Sequence, residues 1–338
     1  MNYKIKLGFI SGLGDVVANE IRTKLKCEIV RQADDFIIID FSSNFTEVLN
    51  LKSIQRAYII AENEEYNPYY IFKHKSILGD LIDIVISNNK SGFKTFRTYC
   101  AGNDSSEVKN INKYIADTYK LQTANEADLK VHIIKNNNMW EVGAQMTPRP
   151  LSVRNYRIEN MSGAMDPTIA YTVNSLCDLA NKKSYLNIFS GSGTLLIEAG
   201  LEYQNLEKLI GFDNDKKNIS LAIQNIKKAG LIRKIQLSEK DVMTKPEMGK
   251  FDVIASDLPF GMVVSKDKDL EVLYKNFIEC AKTNLNKDGV LVTYTSEYEM
   301  LEKIIKGSDF TIVSNFNLKF VTNANSNLKT RILVCKFK

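Results

Sequence analysis

Histidine is scarce in this chain, cysteine is dispersed and no apolar run is long. The two histidines, His74 and His132, both lie in the N-terminal region, and neither is assigned a catalytic role. Five cysteines (Cys27, Cys100, Cys177, Cys280 and Cys335) include no pair at metal-ligand spacing, which argues against a metal centre and for reduced thiols in a reducing compartment. No stretch approaches the ~20 apolar residues needed to cross a bilayer. Met1 to Lys4 leads into alternating residues, not into the apolar core of a signal peptide. Internal repeats and low-complexity tracts are absent from the sequence. A cytoplasmic protein without membrane attachment or metal is the expectation. The 338 residues are 44% apolar, enough for a large core, and the length favours two domains over one. A net charge of +5 permits a polyanionic partner without requiring one.

Tyr3 to Phe9 alternates as a strand, Asp15 to Lys26 has helical spacing, and Glu28 to Phe41 supplies two short strands around Ala33-Asp34-Asp35. The spacing of Val48, Leu51 and Ile54 predicts a helix before a strand at Ala57 to Ala61, and Ile77 to Ser87 reads as another helix. From Gly92 a second unit begins. It has a strand at Phe93 to Tyr99, a helix at Glu107 to Tyr119, and a hairpin of Asp128 to Ile134 and Met139 to Gln145 across Asn136-Asn137-Asn138. Thr147-Pro148-Arg149-Pro150 extends neither element, because proline removes a donor and restricts its neighbour. A linker belongs there.

After Asp166-Pro167, a helix start with proline in the first turn, apolar strands alternate with amphipathic helices. The strands are Ser184 to Phe189, Lys208 to Asp213, Ile235 to Leu237, Phe251 to Ser256 and Val290 to Thr295. The helices are Thr194 to Tyr203, Lys216 to Gly230 and Leu273 to Leu285. Such alternation makes a parallel sheet. Two last strands, Phe310 to Leu318 and Arg331 to Phe337, complete a seven-stranded sheet whose last strand is expected to be antiparallel, at the edge.

Three strand ends carry the chemistry. Leu186 to Thr194 runs from strand through Ser190-Gly191-Ser192-Gly193 into a helix, where a ligand can approach bare backbone at a helix N-terminus. The dinucleotide fingerprint needs a third glycine where Leu196 stands, and no Gly-Lys-Ser/Thr is present for a phosphate loop, so a nicotinamide oxidoreductase is disfavoured. Asp213 ends the next strand about twenty residues on, where a carboxylate can accept both ribose hydroxyls. Asp241 follows the third, placed to take an adenine amine. Ser256-Asp257-Leu258-Pro259-Phe260-Gly261 ends the fourth with a carboxylate, a rigid turn and an aromatic face, a set suited to the amino group of a flat base. An adenosine site without a pyrophosphate cradle, beside that motif, points to S-adenosylmethionine. No cysteine lies at the glycine loop or beside Pro259, which disfavours cysteine-based methylation of ring carbon.

These motifs bring a resemblance. From about Arg154 to the end the chain resembles class I methyltransferases that modify exocyclic amines of nucleic acid bases, with Asp257 to Phe260 matching their Asp/Asn-Pro-Pro-Tyr/Phe motif. Phe93 to Gln145 resembles the THUMP domain of RNA-modifying enzymes, and the preceding region resembles the ferredoxin-like domain that accompanies it. The whole chain, including Arg154-Asn155-Tyr156-Arg157 and the Asp-Leu-Pro-Phe-Gly variant, is similar to tRNA guanine-N2 methyltransferases of the TrmN type. The resemblance implies an α/β architecture: a ferredoxin-like domain at 1–65, THUMP at 66–147, a linker at 148–163 and a Rossmann-like class I methyltransferase domain at 164–338. It implies transfer of a methyl group from S-adenosylmethionine to the N2 amine of an acceptor-stem guanosine, at tRNA position 6, with the tRNA 3′ end held by THUMP. A 23S ribosomal RNA guanine is the alternative acceptor. It implies catalytic roles for Asp257, Leu258, Pro259 and Phe260, and cofactor contacts from Ser190, Gly191, Gly193, Thr194, Asp213, Asn214, Asp241, Val242 and Asp257. Arg97, Arg149, Arg154 and Arg157 are candidate RNA contacts, and a monomer is expected. One departure stands out: Asn187-Ile188-Phe189-Ser190 replaces the family's usual Asp-Pro-Phe-Cys before Gly-Ser-Gly-Thr, so only backbone contacts are carried over there.

Overall fold

The computed structural model describes residues 3–41, 45–71, 75–89, 92–101, 105–136, 138–159, 161, 163–260, 267–321 and 327–338; His74, Asn137 and Gly261 lie outside them. The chain divides into two compact units, one of Met1–Phe9 with Val17–Ser152, the other of Ile10–Val16 with Val153–Lys338. The division after the prolines falls between Ser152 and Val153.

In the first unit, period-two patterning produces β1 (Tyr3–Gly8), β2 (Ile29–Gln32), β3 (Phe36–Phe41), β4 (Arg56–Asn63), β5 (Thr95–Cys100), β6 (Gln122–Thr123), β7 (Leu129–Asn136) and β8 (Met139–Gln145). The helices are α1 (Gly14–Glu20), α2 (Phe45–Leu49), α3 (Lys75–Ser87) and α4 (Ser106–Tyr119). Ser105 starts α4 by accepting from the Val108 amide, the usual way a hydroxyl satisfies a free helix donor. Leu129, Val131 and Ile133 of β7 and Val142 and Ala144 of β8 are buried against Leu78, Ile82, Ile111 and Ile115 of α3 and α4. All eight strands form one sheet, β2-β3-β1-β4-β8-β7-β5-β6. The expected division near residue 65 is therefore bridged by a continuous antiparallel ladder, from Tyr58↔Gln145 to Asn63↔Trp140.

The helix expected through Val48, Leu51 and Ile54 stops at Leu49. Leu51 and Ile54 are buried, so their spacing does report a core. The chain beyond is captured instead by the buried Glu20 carboxylate, which accepts from the Lys52 and Ser53 amides at 2.9 Å each.

The second unit contains α5 (Pro167–Ser175), β9 (Ser184–Ile188), α6 (Thr194–Glu202), β10 (Lys208–Asp213), α7 (Lys216–Lys228), β11 (Ile235–Glu239), β12 (Phe251–Asp257), α8 (Asp267–Asn284), β13 (Leu285–Thr295), α9 (Tyr298–Lys306), β14 (Phe310–Val321) and β15 (Asn327–Phe337). Asp166 caps α5 through the Thr168 amide, with Pro167 in its first turn. The sheet order is β11-β10-β9-β12-β13-β15-β14. The last strand, β15, is antiparallel as expected, but it pairs with both β13 and β14, so it lies inside the sheet and β14, not the last strand, forms the edge. Burial explains the choice. Ile332, Leu333, Val334 and Cys335 of β15 are buried, whereas Val313 of β14 is half exposed among polar neighbours, and an edge strand needs only one covered flank. Helix α9 has no counterpart in the sequence reading. It is nine residues long and Glu297 before it makes no side-chain cap, so the usual start signal is missing.

Candidate active site

Strand register sets the site. Phe212 pairs with Ile188 and Ala255 with Asn187. Asp213, one residue beyond Phe212, and Asp257, two beyond Ala255, are thus level with Phe189. They flank β9 at strand carboxyl ends, roughly 10 Å apart at two inter-strand spacings.

Between them the chain turns sharply. Phe189 has φ 57°, Gly191 49° and Gly193 78°, a run of left-handed conformations that glycine adopts without strain. A Cβ on Gly193 would lie 3.3 Å from the Ala222 Cβ of α7, and one on Gly191 would lie 3.1 Å from the Met161 Cε. The glycines therefore allow close packing as well as the turn. The Gly193 amide donates to the Ser190 carbonyl at 2.8 Å, and the Ser192 and Thr194 hydroxyls bond each other at 2.8 Å.

Asp213 is buried and well supplied. Its Oδ2 accepts from the Gly191 amide at 2.8 Å, and its Oδ1 accepts from the Asp215 amide at 3.0 Å and the Asn218 amide nitrogen at 3.2 Å. It holds the glycine loop while retaining acceptor capacity. Asn214 beside it is exposed. Asp241 accepts from the Met243 amide at 2.9 Å through Oδ1 alone, and Val242 is buried next to it.

Asp257 differs. Among the described residues its carboxylate accepts no hydrogen bond, and desolvation by the surrounding protein pushes its carboxyl up to about 8. The next residues are anchored from two sides: the Leu258 amide donates to the Tyr294 carbonyl at 2.9 Å, and the Tyr274 hydroxyl donates to the Pro259 carbonyl at 2.9 Å while sharing a 2.7 Å bond with Thr295. Phe260 is half-buried and meets Tyr294 edge-on, with centroids 5.8 Å apart.

The arginine candidates separate. Arg149 is exposed, and Arg97 donates to the Asn125 carbonyl at 2.9 Å while lying over the Tyr99 ring. Arg154 is corrected: its Nε donates to the buried Glu198 of α6 at 3.0 Å. Tyr156 donates to the same carboxylate at 2.7 Å. A charge committed to a buried pair is not presented to a phosphate. Arg157 is part-buried, and among the described residues its Nε is enclosed without a hydrogen-bond partner. Residues 154–159 thus strap the unit's own helices, and Asn225 of α7 completes the strap by accepting from the Ile158 and Glu159 amides at 3.1 Å each. Asn218, Asn225, Glu198 and Tyr274 all escaped the sequence reading. Each is an ordinary helix residue; the contacts of Asn225, Glu198 and Tyr274 join segments distant in the chain, and only the Arg-Asn-Tyr-Arg run hinted at the strap. Among the described residues no group of acidic, histidine or cysteine side chains could hold a metal ion.

Residues 154–325 match the model of the UPF0020 family, described as an RMKL-like methyltransferase domain. The chain is 25% identical over 207 residues to the tRNA (guanine(6)-N2)-methyltransferase of Methanocaldococcus jannaschii, covering 50% of this chain and 54% of that protein. It is 24% identical over 284 residues to the U6 snRNA (guanine-N(2))-methyltransferase THUMPD2 of Bos taurus, covering 81% and 52% respectively. The chain therefore spans about half the length of these curated relatives. The crystal structure of TrmN from Thermus thermophilus aligns over 99% of this chain and 100% of its own at a TM-score of 0.78 and 18% identity, which establishes a shared fold.

The fold is the Rossmann-like class I methyltransferase fold, whose cofactor is S-adenosylmethionine, and the residues present suit that molecule. Among the described residues the Ser190 Oγ and the Asn187 Oδ1 are buried without hydrogen-bond partners, while the Asn187 amide nitrogen is spent on the Ala255 carbonyl at 2.8 Å. Gly191 and Gly193 leave the loop without side chains that would crowd a ligand. On its matched domain, its sheet order and its glycine loop, this chain belongs to the UPF0020 family of RMKL-like methyltransferase domains.

Proposed function

We propose that this protein methylates the exocyclic N2 amine of a guanosine in the acceptor stem of tRNA, at position 6, giving N2-methylguanosine. The observation that carries the reading is the Asp257-Leu258-Pro259-Phe260 turn at the end of β12, level in register with Asp213 on the other side of β9. Names of the curated relatives support the base and atom: both are guanine-N2 methyltransferases of RNA.

An exocyclic guanine amine is a poor nucleophile because its lone pair is delocalised into the ring. The Asp257 carboxylate and the Leu258 carbonyl would accept the amine hydrogens as positive charge develops on nitrogen, an interaction stronger in the transition state than in the ground state. Tyr274 and Tyr294 hold the turn that aims these acceptors. Phe260 offers a ring for the base, worth ~1–3 kcal/mol if fully stacked. Bound S-adenosylmethionine supplies an electrophilic methyl group on a sulfonium. Ser190, Gly191, Gly193 and Thr194 would hold its methionine end, Asp213 and Asn214 its ribose, and Asp241 and Val242 its adenine. A guanine in a helix must be extruded to reach this turn, at a cost of a few kcal/mol.

The N-terminal unit is read as a ferredoxin-like region joined to THUMP, holding the tRNA 3′ end with Arg97 and Arg149 as phosphate contacts. The protein is read as a cytoplasmic monomer. Among the described residues no helix is long and apolar enough to cross a membrane.

The decisive experiment is methylation of unmodified total RNA with labelled S-adenosylmethionine, followed by nucleoside mass spectrometry and site mapping. N2-methylguanosine at position 6 of tRNA is expected. Label in ribosomal RNA would move the acceptor to the alternative, and a different methylated nucleoside would overturn the target atom.

A further inference from the structure

The strand order of the C-terminal sheet leaves one side of Asp257 for the acceptor. The glycine loop, Asp213 and Asp241 follow β9, β10 and β11, so every candidate cofactor contact other than Asp257 lies to one side of β12. A base whose amine is delivered to Asp257 therefore extends over β13 and β15, on the other side.

Asp257 and Tyr294 are partners in the β12–β13 ladder, and Tyr294 pairs with Ile332 of β15. Ladder partners share a face of the sheet, as do residues two apart on one strand. Asp257, Tyr294 and Thr330 thus follow one another on a single face, on three successive strands. The Phe260 ring, offered to the base, meets the Tyr294 ring with centroids 5.8 Å apart. Neighbouring strands are ~4.8 Å apart, close to the separation of the N2 and O6 atoms on the pairing edge of guanine. With N2 at Asp257, O6 falls beside Tyr294.

The hydroxyl chemistry at that place is unspent. Among the described residues the Thr330 Oγ1 is buried without a hydrogen-bond partner. It stands beside the Tyr294 hydroxyl, but the two are not aligned for a bond. Burial raises the Tyr294 hydroxyl above its ordinary range, and the Asp257 and Asp166 charges add to this against the effect of Thr330, so the group stays a donor near neutral pH. A tyrosine hydroxyl gives one hydrogen and can accept another. By donating to O6 while accepting from Thr330, it would leave both buried groups satisfied, as buried polar groups ordinarily are.

We propose that Tyr294 is a specificity-determining residue for the acceptor base: its hydroxyl donates to O6 of the guanine whose N2 lies at Asp257, and Thr330 orients that hydroxyl from behind. The proposal rests on the reading that the acceptor is the N2 amine of a guanine in RNA.

The test uses one RNA carrying the mapped acceptor nucleotide in two forms, with guanine or with 2-aminopurine, which keeps the 2-amino group and lacks O6. Methyl transfer to each is timed with the parent protein, Tyr294→Phe and Thr330→Val, and the strength of the 2-aminopurine RNA as a competing inhibitor gives the same comparison without turnover. The parent should prefer guanine by about 100-fold or more, as a site built to bond a polar group rejects an analogue without it. Tyr294→Phe should lose about tenfold in kcat/KM with guanine and less than about twofold with 2-aminopurine, and Thr330→Val about threefold with guanine alone. Unchanged S-adenosylmethionine affinity in calorimetry verifies that both variants fold. Equal losses on the two bases would overturn the proposal, since a merely structural tyrosine behaves in that way. So would undiminished transfer to guanine in Tyr294→Phe, or a parent protein that accepts both bases equally. A parent that forms no N2-methylguanosine in any RNA would remove the functional reading and this proposal with it, whereas N2-methylguanosine formed without base discrimination by Tyr294 removes the proposal alone.

Discussion

Asp213 and Asp257 end strands on either side of β9 at the same level, yet their surroundings are opposite. Asp213 accepts three hydrogen bonds and braces the glycine loop. Asp257 accepts none among the described residues, and burial raises its carboxyl to about 8. On the proposed reading the first carboxylate belongs to a cofactor half-site whose supporting hydrogen bonds are already made. The second is costly to ionise until a positive charge arrives, which is what a sulfonium or a developing ammonium provides. On the proposed reading the raised carboxyl beside an aromatic turn belongs to the reacting half, and the saturated one to the binding half.

The sharpest way to break this contrast is to remove each carboxylate in turn. Asp257→Ala should lower methyl transfer at least a hundredfold while S-adenosylmethionine still binds in calorimetry; retained turnover would end its assigned role. The raised carboxyl adds a pH signature. Between pH 4 and 8 the folded protein holds a proton on Asp257 that the unfolded chain has released, so this group's contribution to stability falls as pH rises through that window. Asp257→Asn should remove the fall, and its melting temperature should gain on the parent's as pH increases. Asp213→Ala should act on the other half, weakening S-adenosylmethionine about 10- to 100-fold through lost charge-assisted bonds. Unchanged affinity would show that the loop stands without it. The smallest effect is expected at Tyr274→Phe, which keeps the buried ring and deletes the bond to the Pro259 carbonyl. A roughly fivefold fall in kcat, the worth of about one hydrogen bond, with cofactor affinity unchanged, would place Tyr274 in the acceptor half.

The C-terminal unit was far more legible than the N-terminal one. Its first strands are short apolar runs, aspartates cap α5 and α7, and its candidate site residues sit at strand ends, which a parallel sheet lines up automatically. The candidates Ser190 to Thr194, Asp213, Asp241 and Asp257 to Phe260 could all be nominated one segment at a time. Arg154 could not, because its partner Glu198 is 44 residues away and nothing local distinguishes a buried arginine from one that faces solvent. The N-terminal unit reads as two modules in sequence because its elements are local, but the β4–β8 ladder joins residues about eighty apart into one sheet.

Periodicity and turn chemistry alone determined where strands begin, where the chain can bend tightly and which carboxylates reach strand ends, since each depends on a few neighbouring residues. Tertiary structure decided which of those carboxylates are satisfied and which are starved of partners, which arginines remain available, that β15 lies inside β14, and that Glu20 ends a helix 30 residues away. These outcomes depend on burial and on hydrogen bonds between distant segments, and the free energy of a buried charge is fixed by what surrounds it in space.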